Sequence, residues 1–291
     1  MRLVFMGTPH FVIPVLEALI QASDLDIVGV YTPPDRPRGR GRNPEMTPVK
    51  QRALALGLPI FQPASLRSEA VQQELAKLQP EVIVVAAYGR FLPTPVLELP
   101  PYGCLNLHPS LLPRYRGPSP VVTTILEGET RTGVTLMRLD EGMDTGPLIA
   151  QRDYPVPPEA TAESLTADLF RLGADLLVEA LPQWIAGGLM AAPQDNAAAT
   201  VTRKIERTDG KADWSLSALE LQRRQRAYTP WPGLFTAWQG RLLKLLDVVA
   251  LADANSLPVA PGKVVRPEGP EAPVGVGTGE GILGLRELQL E

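Results

Sequence analysis

Cysteine is nearly absent from this chain of 291 residues. Cys104 is the only one, which excludes an internal disulfide and a cysteine-built zinc site and agrees with a reducing compartment. Its apolar neighbours mark it as a small buried hydrophobe. Histidine is almost as scarce, with only His10 and His108. Long apolar runs are missing too: none approaches the 18 or more residues of a membrane span. The N-terminal MRLVFMGTPHF enters turn chemistry after six residues, so it is not read as a secretory signal, and the cytoplasm is the expected location. Nor is there a large excess of one charge. The net charge is −4, so the molecule is not a polycation, and any contact with nucleic acid must come from local patches. Upstream of Thr202 there are 16 Lys and Arg against 21 Asp and Glu; from Thr202 onward the numbers are 12 and 11. No repeat and no low-complexity tract is found.

What is present is enough apolar material for a sizeable core. At 44% hydrophobic residues, the length predicts two domains. RLVFM (2–6) reads as a strand, followed by a Gly-Thr-Pro turn and a helical pattern over 12–22. LDIVGVYT (25–32) reads as a strand, 49–56 and 70–78 as helices, and EVIVVAAY (81–88) as a strand buried on both faces of a parallel sheet. CLNLH (104–108) and GVTLMRL (133–139) are further strands, and 162–187 is one long helix. The alternation predicts a doubly wound, mostly parallel α/β sheet of Rossmann-like type, with ligands at the carboxyl edge of the strands, where LNLH and TLMRLD both end. Beyond it, 216–228 reads as a helix, 235–251 as two strands joined at Gln-Gly, and the remainder as short strands with Gly-rich turns. A small barrel of the oligonucleotide-binding type fits that half, and so does a plain β-sandwich. The expected division is a catalytic domain at 1–189, a linker at 190–205 and a β-barrel domain at 206–291.

The chemistry concentrates in LNLHPSLLPRYRG (105–117). Asn106 and His108 lie two apart on one strand, so both side chains leave the same face. An amide and an imidazolium supply two donors to an oxygen acquiring negative charge, as a site for acyl transfer requires. The loop LDEGMDTG (139–146) offers Asp140, Glu141 and Asp144 as carboxylates that could reach His108. Its spacing does not fit a calcium loop. Ser110 lacks a nucleophile elbow, and the GTPHFVIP turn lacks two glycines of the dinucleotide fingerprint. His10, at the start of the first helix, reads as a surface or capping residue.

N-L-H-P-S-L-L-P-R-Y-R-G followed by T-G-V-T-L-M-R-L-D-E-G-M-D-T-G-P-L-I resembles the folate-dependent formyltransferases, with both blocks in the right order and at the right separation. The resemblance implies a catalytic trio at Asn106, His108 and Asp144, and 10-formyltetrahydrofolate as the formyl donor, with no metal. It implies folate contacts from Tyr88, Gly89, Arg90, Phe91 and Leu92, from Ser110, Leu111, Leu112 and Pro113 after the histidine, and from Asp140, Glu141 and Gly142 in the acidic loop.

Several acceptors share this core. TPPDRPRGRGRNPEMTP (32–48) is far longer than an ordinary connection, and it sets Arg36, Arg38, Arg40 and Arg42 at alternate positions, a pattern suited to phosphates and exposed bases. Together with DWSLSALELQRRQRAYTPWPG (213–233), it resembles the branch of the family that formylates methionyl initiator tRNA. That branch implies a second tRNA contact at Arg223, Arg224 and Arg226, and the protein is expected to act as a monomer. An amino-sugar formyltransferase, a folate hydrolase and a non-catalytic RNA-binding protein are the rival readings.

Overall fold

The structure is a computed structural model that describes residues 1–38, 43–251, 259–267 and 269–291. The chain folds as two units. The first comprises Met1–Gly117, Arg131–Pro155 and Thr166–Val201; the second comprises Pro118–Thr130, Val156–Leu165 and Thr202–Glu291. The stretch expected as a linker is therefore divided, with 190–201 in the first unit and the rest in the second.

Up to the end of the long helix the elements run β1 (Arg2–Gly7), α1 (Ile13–Gln21), β2 (Asp26–Tyr31), β3 (Arg36–Arg38), β4 (Asn43–Glu45), α2 (Pro48–Ala55) and β5 (Ile60–Phe61). They continue as α3 (Glu69–Lys77), β6 (Val82–Ala86), α4 (Thr94–Leu97), β7 (Cys104–His108), α5 (Pro120–Leu126), β8 (Arg131–Arg138), β9 (Leu148–Pro155) and α6 (Ala162–Ile185). Seven strands form one sheet in the order β5-β2-β1-β6-β7-β8-β9. Its first five strands are parallel. Burial on both faces explains the continuous apolar runs. In β1, Leu3 and Phe5 join the core beneath α1, α2 and α6, while Val4 and Met6 join the core beneath α3 and α4. The strand order reverses between β1 and β6, and the crevice of such a fold lies beyond their carboxyl ends. There the Thr8 hydroxyl donates to the Tyr88 carbonyl at 3.0 Å.

One expectation is corrected. β8 runs antiparallel to β7, pairing Leu105 with Arg138 and His108 with Thr135. TLMRLD therefore ends beside the start of β7, not at the edge where LNLH ends. The acidic loop reaches His108 by turning back along the sheet.

In the second unit, α7 (Ala218–Ala227) precedes β10 (Leu234–Trp238), β11 (Arg241–Leu251), β12 (Val264–Val265), β13 (Val274–Gly277) and β14 (Ile282–Leu290). The strands form a single antiparallel sheet in the order β10-β11-β14-β13-β12, an OB-like half-barrel rather than two facing sheets. A bulge at Asp247 bends β11, as curling a sheet requires. Gln239 and Gly240, both at positive φ, make the tight turn between β10 and β11. Ser217 and Glu220 cap α7 reciprocally. Among the described residues, no helix is long and apolar enough to cross a membrane.

Candidate active site

Leu105 and Leu107 of β7 enter the core beneath α1 and α6, which leaves Asn106 and His108 on the opposite face. His108 is almost wholly buried, at 4% exposure. Its Nε2 lies 2.9 Å from the Tyr115 carbonyl. A carbonyl oxygen only accepts, so Nε2 carries the proton of that bond, and Nδ1 is the nitrogen that faces the site. Asp144 Oδ2 lies 3.6 Å from Nδ1. That is too long for a hydrogen bond and close enough for a strong interaction between charges. The backbone N–H of Gly117 donates to the same Asp144 oxygen at 2.8 Å. Among the described residues the Asn106 amide has no hydrogen-bond partner. Tyr115 and Asp144 both have left-handed backbone, at φ of 60° and 54°, a conformation that accumulates at working sites.

Local bonds shape the two loops that meet here. In the acidic loop, Asp140 Oδ1 accepts from the Gly142 N–H at 3.0 Å and from the Thr145 hydroxyl at 2.7 Å, so Asp140 serves the loop itself. Glu141 accepts from the Thr94 hydroxyl at 2.6 Å. A side chain at Gly146 would put its Cβ 1.9 Å from the Arg138 carbonyl oxygen, so only glycine allows the loop to close. In the loop after His108, Ser110 is fully buried and donates to the Arg114 carbonyl. Thr135 of β8 donates to the Ser110 carbonyl at 2.6 Å and accepts from the Leu112 N–H at 3.1 Å. Leu111 lies against Gly133. The Pro113 carbonyl accepts from the Thr200 N–H. Of these four positions expected at the folate, Ser110 and Leu112 have side chains enclosed by the loop's own support.

An open pocket of about 380 Å³ is lined by Arg67, Phe91, Leu92, Pro93, Thr94, Pro95 and Glu141. Phe91, Leu92 and Glu141 were expected at the folate; Arg67 and Thr94 were not. Phe91 is 66% exposed, and the Arg67 guanidinium has no partner among the described residues. Tyr88 lies in the core, and its buried hydroxyl has no hydrogen-bond partner among the described residues. Arg90 donates to the Pro63 and Ala64 carbonyls, fixing the Gly89 turn instead of facing the pocket as a free cation. Arg67 stands before a helix with nothing in the sequence around it to mark a ligand; only the pocket identifies it.

The basic segment is a ribbon pairing Arg36 with Glu45 and Arg38 with Asn43. Arg36 is exposed, whereas Arg40 and Arg42 lie outside the described residues. Its stems are tied by Thr32 and Thr47 at 2.7 Å, by Lys50 to Asp35 at 2.6 Å, and by the Gln62 amide to Asp35 at 2.8 Å. Lys50 and Gln62 hold the Asp35 carboxyl below its usual range. In the second unit Arg223 packs over Gly128; the carboxyls of Asp209, Asp213 and Glu220 are held low chiefly by Arg203, Ser215 and Ser217 respectively, with the Arg224 charge adding to each. Arg226 donates to the Ala160 carbonyl at 3.1 Å. These arginines are half-buried rather than fully exposed, which their sequence spacing did not reveal.

The family model described as formyl transferase matches residues 1–181, and the model of the formyl transferase C-terminal domain matches 204–291. The methionyl-tRNA formyltransferase of Chloroflexus aurantiacus is 50% identical over 290 residues, covering 99% of this chain and 92% of that one. That of Myxococcus xanthus is 45% identical, covering 100% and 90%. Among solved structures, an N-formyltransferase from Helicobacter canadensis superposes with a TM-score of 0.69 at 18% identity, over 98% of this chain and 99% of the other. The methionyl-tRNA formyltransferase from Clostridium thermocellum gives 0.60 at 15% identity, over 88% and 95%. These two likenesses concern the fold. By its two domain matches and its relatives at 45–50% identity over nearly the whole length, the chain belongs to the methionyl-tRNA formyltransferase family.

Proposed function

We propose that the protein transfers the formyl group of 10-formyltetrahydrofolate to the α-amine of methionyl initiator tRNA. The observation that carries this reading is the approach of Asp144 to His108 Nδ1 at 3.6 Å, on the strand face that also presents Asn106. The pocket suits a folate in kind: Phe91, Leu92 and two prolines offer an apolar wall for an aromatic ring, and Arg67 offers a cation for a glutamate carboxylate. When bound, the folate supplies an activated one-carbon unit.

The chain's own residues do the rest. Asn106 donates its free amide to the formyl oxygen, and His108 donates from Nδ1, because Nε2 is held by Tyr115. Asp144 balances the imidazolium charge and takes the amine proton, directly or through one water; the bond between the formyl carbon and the folate nitrogen then breaks, and the same proton goes to that nitrogen as tetrahydrofolate leaves. No covalent attachment to the protein is needed, since an uncharged amine is a competent nucleophile. The tRNA would be met by Arg36, Arg38, Arg40 and Arg42 of the ribbon segment, with Arg223 and Arg224 as a second contact.

The test is to mix the protein with 10-formyltetrahydrofolate and radiolabelled methionyl initiator tRNA and look for labelled formylmethionine. Formation of that product, its loss in His108→Ala, and a fall in turnover of about 10²–10⁴-fold in Asp144→Asn are expected. Consumption of the folate only with an amino sugar, or with water, would keep the core chemistry and refute the acceptor. Full activity in Asp144→Asn would refute the site.

A further inference from the structure

Gln194 lies in the Pro- and Ala-rich stretch that follows α6, where the sequence offers no sign of a site. Its surroundings are specific. Leu148 and Ala192 exchange two backbone hydrogen bonds of 2.8 Å, which lays the chain before Gln194 alongside the end of the acidic loop. The Gln194 Nε2 then donates to the Asp144 carbonyl at 2.9 Å and to the Gly146 carbonyl at 2.7 Å. Its Oε1 accepts from Arg116 Nε at 3.0 Å and Arg116 Nη2 at 2.8 Å. All four positions of one amide are used. Arg116 is itself buried, at 7% exposure; its Nη2 also donates to Asn196 Oδ1 at 2.9 Å, and its N–H donates to the Thr200 carbonyl at 2.9 Å.

The two loops joined by this amide are those that carry the reacting groups. Arg116 follows Tyr115, whose carbonyl orients His108. The two carbonyls on the other side belong to Asp144 and its near neighbour Gly146. Asp144 has a φ of 54°, a conformation that a residue other than glycine keeps only where its surroundings hold it. Holding the carbonyl fixes the backbone from which the carboxylate projects.

We propose that Gln194 is a positioning residue that acts through Asp144: its amide keeps Asp144 in the left-handed backbone that presents the carboxylate to His108 Nδ1. The inference rests on the reading of His108 and Asp144 as the reacting pair. Gln194→Leu keeps similar bulk and removes the bonds. It is expected to lower kcat about 10- to 100-fold, as a misplacement of about 1 Å does, while KM for folate and for charged tRNA moves less than about two-fold. In an Asp144→Asn background the same change should cost nothing more, because both act on one group. Gln194→Glu keeps the contact with Arg116 and loses both donors, so it should behave like Gln194→Leu.

Three results overturn the proposal: wild-type kcat in Gln194→Leu, wild-type kcat in Gln194→Glu, or losses that multiply when Gln194→Leu and Asp144→Asn are combined. Thermal melting and folate binding of each variant separate a folding defect from a kinetic one, and a kcat loss explained wholly by lost folded protein also overturns it. Failure of the underlying reading is distinguishable, since it appears as full activity in Asp144→Asn alone, whatever Gln194→Leu does.

Discussion

His108 is oriented by a carbonyl seven residues further along the chain and faces a carboxylate from a different loop, so its environment depends on how those loops are held. Thr135 is the residue on which the first of them hangs. Fully buried, its hydroxyl donates to Ser110, accepts from Leu112 and also accepts from the Gln151 amide at 2.9 Å. Thr135→Val preserves the shape and removes all three bonds, leaving buried polar groups without partners. It should destabilise the first unit by about 1–3 kcal/mol, measured as a lower urea midpoint, and loosen the loop that follows His108. By contrast, burial among apolar groups pushes the Cys104 thiol up to about 12, which keeps it inert in the folded protein. The two-apart spacing of Asn106 and His108 made their shared face legible in the sequence. Gln194 was not legible, because its partners stand 50 and 78 positions away and nothing local to the residue marks them.

At the scale of elements, sequence periodicity located β7 and the long α6 closely, and the Gln-Gly signal located the β10–β11 turn. It missed α5, whose PVVTTIL is a run of β-branched residues that disfavour helix. There the proline at the helix start and the packing against α7 prevail. It also missed the direction of β8, since a run of buried residues is the same whether a strand runs up or down. Charge chemistry is local to elements as well. Asp209 is bound by both terminal nitrogens of Arg203, at 2.6 and 2.7 Å. That pairing first, and the Glu206 N–H after it, hold its carboxyl down at about 2. A depressed carboxylate stabilises above its unfolded value, near about 4, and loses that contribution as pH falls through the folded one. Asp209→Asn should therefore be less stable than the parent above about pH 4, with the gap closing between about pH 4 and 2, as read from urea midpoints across that range.

For the whole molecule, a net charge of −4 must be reconciled with a polyanionic acceptor. Binding then depends on where the cations are, and the ribbon segment carries four arginines at alternate positions. Replacing Arg36, Arg38, Arg40 and Arg42 with glutamine should reduce the slope of log KM for charged tRNA against log salt by about 3, at about 0.7–0.9 per phosphate contact. KM for the folate should not change. An unchanged slope would remove that segment from the interface.

The division into units has a consequence for synthesis. α5 interrupts the chain of the first unit yet belongs to the second, and its helical neighbour there, α7, is made much later. At roughly 5–20 residues per second, the interval is several seconds. The first unit has all of its own chain once Val201 has left the ribosome, while α5 still lacks α7. A nascent chain of this protein thus passes through a stage in which the first unit's chain is complete while an insert within it still waits for its partner helix. Chaperone capture or aggregation during translation should begin at that insert.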